Sequence, residues 1–229
     1  MKGKIQNKKR TNVLKKTLVV GYLLLLSATW TLASAQNDNI YMKTKYDKGV
    51  FETEAYIETT ASSKIMYGII ADIVSHSRRL EIDTLQWALK GLSGYEEGRN
   101  LIRIDYEGGR YDPNTKIFDV FIGIYAGIMK KQFKNVQISV LMKSESSING
   151  LQSIEVELFY PNFFLKSAKG TLTIRHAGGR RQFVICSSVR FGWFFNLFIS
   201  TSNYSAVAEW RIQTVLENLK TEAERRPED

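Results

Sequence analysis

Hydrophobic and polar residues change their spacing twice along this chain. Residues 49–59 alternate, with Phe51, Ala55 and Ile57 on one side and glutamates on the other, which predicts a half-buried strand. The residues that follow repeat their apolar side chains every three or four positions, which predicts a helix with one buried face. Residues 80–92 carry a similar but shorter pattern, and we expect a second helix there. The apolar positions of the first helix are Ile65, Met66, Ile69, Ile70, Ile73 and Val74.

From residue 100 to residue 191 the chain consists of strand-like segments separated by turns. Asn149-Gly150 and Gly178-Gly179 are pairs that favour hairpins. The stretch 128–133 is longer than a hairpin needs, so a bulged long strand and an inserted element both remain open. About six strands are predicted, at residues 101–106, 116–127, 135–143, 151–160, 168–176 and 181–191.

The chain ends with its clearest helical pattern, for which Ser202 or Asn203 is placed as the cap. The apolar stripe of this helix is wide enough to need a sheet beneath it. Together the elements predict an α+β domain: a curved antiparallel sheet of about seven strands, two short helices after the first strand, and a long C-terminal helix across the concave face. Residues 222–229 are charged and are expected to fray. The stripe consists of Tyr204, Val207, Ala208, Arg211, Ile212, Val215, Leu216 and Leu219.

The first 35 residues have the layout of an export signal. Seven Lys and Arg side chains, with no Asp or Glu, precede an apolar run at residues 17–32 and the small-residue site Ala33-Ser34-Ala35. A membrane-spanning helix needs about 20 residues, so cleavage near Ala35 is favoured over an uncleaved anchor. We therefore expect residues 1–35 to be a cleaved signal peptide and residues 36–229 to be a single exported domain, periplasmic or extracellular.

Removing this segment lowers the net charge of the protein and changes which partners that charge suggests. The whole chain has a net charge of +9, but residues 36–229 carry 25 basic and 23 acidic side chains, a net charge of +2. A strongly basic protein would suggest nucleic acid as a partner, and this near balance predicts no nucleic-acid partner. The single cysteine, Cys186, allows no internal disulfide, so the fold must rest on its core.

The element order, together with the stretch 169–219, resembles the START-like (SRPBCC, helix-grip) superfamily. In that stretch a strand with Gly170-Thr171-Leu172, a glycine hairpin and a second strand lead to an aromatic bend and then to the terminal helix. The resemblance covers residues 50–224 and implies an exported bacterial member of the superfamily. It also implies a cavity between the sheet and the terminal helix that takes a lipid or another small apolar molecule. We expect the residues that bind this ligand to be Trp193, Phe195, Phe198, Tyr204, Ala208 and Ile212.

Reactive side chains are few, and most have an ordinary structural explanation. Asp119 in an apolar strand is a candidate buried acid with a raised pKa, which in an enzyme would act in the cavity together with Tyr106 or Tyr125, or else it points outward at the sheet edge. Cys186 with either histidine would suggest a thiol nucleophile, but no spacing supports the pairing. The two scattered histidines and the single cysteine predict no metal site, and nothing in the sequence predicts a cofactor.

Three functional hypotheses follow. The favoured one is a protein that binds or carries a small hydrophobic, lipid-like ligand without chemistry. The alternatives are a cyclase- or dehydratase-type enzyme in the same fold and a non-enzymatic subunit of an envelope complex. In the last hypothesis an aromatic corner docks an envelope protein or makes transient contact with a membrane. That corner consists of Phe191, Trp193, Phe194, Phe195 and Phe198.

Overall fold

The computed structural model describes residues 40–79, 82–90, 102–126, 131–147, 150–196 and 201–228. The predicted signal peptide and Phe198 lie outside these residues. The strands are β1 (Ile40–Asp47), β2 (Val50–Thr59), β3 (Ile102–Asp112), β4 (Ile117–Ala126), β5 (Lys131–Ser147), β6 (Gly150–Leu158), β7 (Leu165–Ala177) and β8 (Arg180–Phe191), and the helices are α1 (Ser63–Arg78), α2 (Gln86–Leu89), α3 (Trp193–Asn196) and α4 (Thr201–Arg225).

Within the described residues the eight strands form one antiparallel sheet in the order β1-β2-β8-β7-β6-β5-β4-β3. Strands that follow each other in the chain are neighbours in the sheet, except that β2 pairs with β8. This pairing joins the first strands of the domain to the last one. The terminal helix α4 packs on these same two strands, so the start and the end of the domain meet there.

The sheet has a helix-covered face and an outer face. On β2, Phe51, Ala55 and Ile57 are buried on the helix-covered face, whereas Glu52 and Glu54 project from the outer face. This alternation follows the two-residue period of a strand and was predicted from the sequence. Burial of each large apolar side chain contributes about 1.5–3 kcal/mol, and strands β4 to β8 add further side chains to the same core.

Helix α1 covers the part of the sheet around β6. Its first turn is capped by Ser62, whose hydroxyl accepts a hydrogen bond from the backbone N–H of Ile65 at 3.5 Å. The apolar face predicted for this helix is buried, with Met66, Ile69 and Ile70 fully inaccessible. At 16 residues α1 is longer than the short helix that we expected. None of the described helices combines the length and the apolar character needed to cross a bilayer.

Three details of the predicted fold need correction. The sheet has eight strands instead of about seven, because β1 was missed: it is an edge strand whose outward positions include Lys43 and Lys45, and its hydrophobic signal is weak. The second helix predicted at residues 80–92 is a 3-10 turn, Ile82–Leu85, followed by the four-residue helix α2. Strand β5 shows that the bulged long strand was the correct alternative, since its register shifts near Asn135.

The predicted fraying of residues 222–229 was wrong for the first part of that segment. Helix α4 continues to Arg225, and Glu222 is buried between two arginines. The Glu222 carboxylate accepts hydrogen bonds from Arg225 at 2.7 Å and from Arg226 at 3.0 Å. Arg226 also donates to Asp72 on α1 at 2.8 Å, so an ion pair joins the end of α4 to the second half of α1.

Candidate functional site

Three aromatic rings close one end of the space between α4 and the sheet. Tyr204, in the first turn of α4, places its ring centroid 3.8 Å from that of Phe51 on β2. The ring of Phe191, at the end of β8, lies 5.7 Å from Tyr204 and 5.9 Å from Phe51. All three side chains are buried. Such a group forms an apolar wall at this end of the helix–sheet interface.

A row of short side chains crosses the helix-covered face next to this wall. Thr53 on β2 pairs in register with Thr44 on β1 and with Ser187 on β8, and Ser187 pairs with Gly170 on β7. We call these four residues the short-residue row. The neighbouring rows carry larger groups such as Phe51 and Ile185. Short side chains beneath a helix either bring the helix close to the sheet or leave room for a ligand.

The hydroxyl groups of Thr53 and Ser187, both in the short-residue row, differ in their hydrogen bonding. The Thr53 hydroxyl is hydrogen-bonded to the Thr44 hydroxyl, with 3.0 Å between the oxygens. The Ser187 hydroxyl is buried and has no hydrogen-bond partner, and the residue is 6% exposed. A buried hydroxyl without a partner costs about 1–3 kcal/mol, so this position is unusual among buried polar groups.

Helix α4 runs along β2, which places its first half over this row. Tyr204 contacts the start of β2 at Phe51, and Glu224 accepts hydrogen bonds from the Thr59 hydroxyl and the Thr60 N–H at its end, each at 3.2 Å. From Tyr204 to Glu224 the helix advances about 30 Å. Strand β2 advances roughly 27 Å from Phe51 to Thr59, so the two elements run side by side over this length. The turns of α4 that follow Tyr204 therefore lie nearest to Thr53.

The predicted ligand-binding residues fall into three groups. Tyr204 and Ile212 are buried on α4, at 1% and 3% exposure, on the side that faces the sheet. Trp193 begins α3 and is 61% exposed, so it lies on the protein surface. Their role in binding stays a prediction. The side chains of Phe195 and Ala208, and the whole of Phe198, lie outside the described part of the structure.

Asp119 lies on the outer face of the sheet, since its neighbours Phe118 and Val120 are in the core. Its carboxylate accepts hydrogen bonds from the Ser139 hydroxyl at 2.6 Å, from Gln137 at 2.9 Å and from Arg110 at 2.6 Å. Burial raises the pKa of Asp119, but these hydrogen bonds outweigh burial and hold the pKa below its ordinary value. The raised pKa of the enzyme hypothesis is therefore not found at this carboxyl, and the alternative that Asp119 points outward is the correct one.

The two tyrosines of the enzyme hypothesis are not neighbours of Asp119 in the sheet register. Tyr106 pairs with Ile122 and Tyr125 pairs with Gln132, whereas Asp119 pairs with Arg110 and Ser139. The side chains of both tyrosines lie outside the described part of the structure.

Cys186 lies on the outer face of β8, in the wall of a shallow groove of about 410 Å³. Burial, followed by the charge of Glu54, raises the pKa of the Cys186 thiol. His76 is on α1 and His176 is at the end of β7, so neither is its neighbour in the sheet register. No group of three or more side chains that could hold a metal ion is found among the described residues.

Ser187 and Thr53 are the site residues that sequence reasoning missed. Both are polar residues between apolar inward neighbours: Thr53 lies between Phe51 and Ala55 on β2, and Ser187 lies between Ile185 and Val189 on β8. A polar residue in phase with the buried side of a strand is the signal that identifies them.

Several solved structures are similar to the chain at low sequence identity. No protein-family model matches the sequence, and no curated protein matches it. One similar structure is a STAR-related lipid transfer protein fragment from Xanthomonas axonopodis, with 14% identity, 86% of this chain and 99% of that chain covered, and a TM-score of 0.45. Another is the Zhui aromatase/cyclase from a Streptomyces species, with 12% identity, coverage of 77% and 95%, and a TM-score of 0.45.

The di-domain aromatase/cyclase BexL also matches, with 10% identity, a TM-score of 0.39 and 84% of this chain aligned. The chain spans about half of that protein, 52% of its length. The sheet order and the helix packing of this chain are those of a helix-grip arrangement, in which a C-terminal helix packs on a large antiparallel sheet.

Proposed function

We propose that the chain is an exported protein that binds or carries a small hydrophobic, lipid-like ligand between α4 and the short-residue row. The observation that carries the proposal is the buried hydroxyl of Ser187, which has no hydrogen-bond partner in a helix–sheet interface lined mainly by apolar side chains. A polar atom of a bound ligand would satisfy this hydroxyl. The near-neutral charge of residues 36–229 is compatible with an uncharged or singly charged apolar ligand.

The surroundings of Ser187 define the class of ligand. Phe51 and Tyr204 provide an aromatic wall on one side, and Ala55 with Ile185 continues the apolar surface on the other. Apolar sites with one or two polar groups bind ligands in one orientation, because the polar groups fix the polar end of the ligand. A fatty acid, a long-chain alcohol or a sterol has this chemistry.

Ligand entry requires a movement of α4. The Ser187 oxygen is covered in this structure, so the turns of α4 that follow Tyr204 must shift before a ligand reaches it. The far end of α4 is held by Glu222 and Glu224, whose carboxylates bind Arg226 and Thr59. We therefore propose that the first half of α4 opens while its second half stays attached.

A cyclase-type reaction has less support than binding. Asp119, the acid on which that hypothesis depended, is hydrogen-bonded on the opposite face of the sheet from α4. An acid with a lowered pKa is ionised at neutral pH and does not donate a proton there. Binding without chemistry is the function that the described residues favour.

Native mass spectrometry of the chain purified from a bacterial periplasm tests the proposal, with organic extraction of bound molecules. We expect a lipid-like species at a ratio near one per chain, and uptake of a fluorescent fatty acid from solution. Ser187→Ala should weaken this uptake, whereas Ser188→Ala, a matched change on the outer face of the same strand, should not. An unliganded mass together with no uptake of fatty acid or sterol would overturn the proposal.

A further inference from the structure

We propose that the protein docks on an anionic lipid surface through Phe159, Tyr160, Phe163 and Trp193, called here the exposed aromatic cluster. The inference deepens the proposed function, on which it rests, because a carrier of a lipid-like ligand must exchange that ligand at a membrane. Six large hydrophobic side chains are exposed among the described residues, and these four gather in two segments at one end of the sheet.

The two segments are joined by backbone hydrogen bonds. The β6–β7 connection carries the first three aromatic residues, and α3 begins with Trp193. Gly192 donates its N–H to the carbonyl of Phe164 at 2.7 Å, and Phe194 donates to the carbonyl of Phe163 at 3.4 Å. The rings of Phe163 and Trp193 are 6.5 Å apart as a result.

A buried aromatic base supports the cluster. Phe133, Phe164 and Phe194 contact each other edge to face, with ring centroids 5.1–5.6 Å apart. The Asn162 side chain accepts hydrogen bonds from the N–H groups of Phe164 and Leu165, each at 2.9 Å, which fixes the turn that presents Tyr160. Large exposed rings held on such a base are not needed for the core, and patches of this kind mark interaction sites.

The basic side chains near the exposed aromatic cluster indicate which kind of surface binds there. Three segments meet at the aromatic base, and their described parts, residues 131–137, 158–169 and 190–196, contain four lysines and one arginine but no Asp or Glu. Lys134 and Lys166 are exposed beside the aromatic base. Among the described residues, the acidic groups near this region come from other elements. Asp47 ends β1 and is followed by Lys48, Glu107 accepts the Asn135 N–H at 2.5 Å, and Glu155 pairs with Lys169.

Exposed aromatic rings flanked by lysines match the chemistry of an anionic bilayer surface. Aromatic side chains insert at the level of the headgroups, and each nearby basic side chain adds attraction to anionic lipid. A protein partner would use the rings but would not require basic residues on every converging segment. The same end of the sheet holds Tyr204 and the start of α4, so docking there would bring the membrane close to the part of the helix that must shift.

Vesicle co-sedimentation tests this inference with the chain purified from a bacterial periplasm, as in the test of the proposed function. Vesicles of phosphatidylglycerol with phosphatidylcholine are compared with vesicles of phosphatidylcholine alone. We expect binding to the anionic vesicles that weakens as salt is added. Phe159→Ala combined with Tyr160→Ala should lower the partition coefficient about tenfold, as should Lys134→Glu combined with Lys166→Glu.

Matched controls come from the rest of the sheet. Tyr41→Ala removes an exposed ring on the outer face, and Lys43→Glu with Lys45→Glu reverses two exposed charges on β1. We expect both to bind vesicles like the wild type. Circular dichroism melting checks that every variant folds, and Trp193→Ala provides a second variant of the cluster.

The outcomes separate this inference from the proposed function. Docking is supported if the two double variants, Phe159→Ala with Tyr160→Ala and Lys134→Glu with Lys166→Glu, lose vesicle binding but take up fatty acid from solution like the wild type. Vesicle binding by a wild-type chain that takes up no ligand supports docking and overturns the carrier function alone. Equal binding to neutral and anionic vesicles overturns the inference, and so does cluster-dependent crosslinking to an envelope protein without any vesicle binding.

Discussion

Gly192 packs directly beneath the backbone carbonyl of Phe163. A Cβ atom on Gly192 would overlap that carbonyl and would also press on the carbonyl carbon of Phe164. The Gly192 N–H meanwhile donates to the Phe164 oxygen at 2.7 Å. Only a glycine allows the end of β8 to approach the β6–β7 connection this closely.

Gly192→Ala should therefore lower the free energy of unfolding by about 3 kcal/mol, because the obstacle is backbone and cannot rotate away. Gly108→Ala is the matched control, since nothing lies within 4 Å of the Cβ that it would add. Urea denaturation of both variants measures the difference. Equal stability of the two variants would show that the approach of Gly192 to Phe163 is not required for folding.

Ser187→Ala should leave the unliganded protein as stable as the wild type or raise its free energy of unfolding by up to about 1 kcal/mol. The reason is that the variant removes a buried hydroxyl that has no partner. Thermal denaturation with and without a fatty acid measures both the stability and the ligand effect. A loss of several kcal/mol in the unliganded variant would mean that the hydroxyl has a structural partner.

The sequence was sufficient to predict the strands that bury one face and expose the other. On β2 the inward side chains Phe51, Ala55 and Ile57 alternate with glutamates and Tyr56, so the period is visible without a structure. Helix α1 and helix α4 were predicted for the same reason, through apolar stripes that include Ile69 and Leu216. Strand β1 was not, because its lysines and single-sided packing at the sheet edge leave little pattern.

The candidate site was harder to predict, since its features depend on contacts between distant segments. Thr53 and Ser187 are 134 positions apart in the chain and become neighbours only through the pairing of β2 with β8. The burial of Glu222 likewise depends on Arg225 and on Arg226, which also binds Asp72 on α1. Local spacing does not contain this information, and a charged tail is expected to be solvated.

Cys186 provides a test of electrostatics on the outer face. Burial and the charge of Glu54 raise the pKa of this thiol, so the thiolate fraction at pH 8 is small. Glu54→Gln removes the negative charge and should lower the pKa, which increases the rate of alkylation at pH 8 by about twofold. The pH profile of iodoacetamide labelling measures this, with Glu157→Gln as the distant control. An unchanged or slower rate would contradict the role of Glu54.

Glu222 should contribute to the attachment of α4 to α1. Glu222→Gln keeps the shape of the side chain but removes the charge that binds Arg225 and Arg226. Because Arg225 is largely exposed, we expect a loss of only about 1–2 kcal/mol in the free energy of unfolding. Urea denaturation measures the loss, and Glu228→Gln in the exposed tail is the control. Unchanged stability together with unchanged hydrogen exchange at residues 220–226 would contradict this role.

Asp119 should stabilise the fold in a pH-dependent way. Burial raises its pKa, but the hydrogen bonds from Ser139, Arg110 and Gln137 outweigh burial, so the folded-state pKa lies below the ordinary value of about 4. A carboxyl of this kind contributes stability that is fully present above its ordinary pKa and is lost as the pH falls through the folded-state pKa. Asp119→Asn should therefore lower the free energy of unfolding by about 1–2 kcal/mol at pH 7.

The pH dependence of this variant separates the two roles considered for Asp119. The difference between Asp119→Asn and the wild type should shrink as the pH falls below the ordinary pKa of about 4 and on through the lower folded-state pKa, where the wild-type carboxyl takes up its proton. Urea denaturation at several pH values measures it, with Glu157→Gln on the same face as the control. A catalytic acid with a raised pKa predicts the opposite sign, because removing a carboxylate that is penalised by burial would stabilise the protein near neutral pH. A stabilising Asp119→Asn would therefore reverse our assignment and restore the enzyme hypothesis.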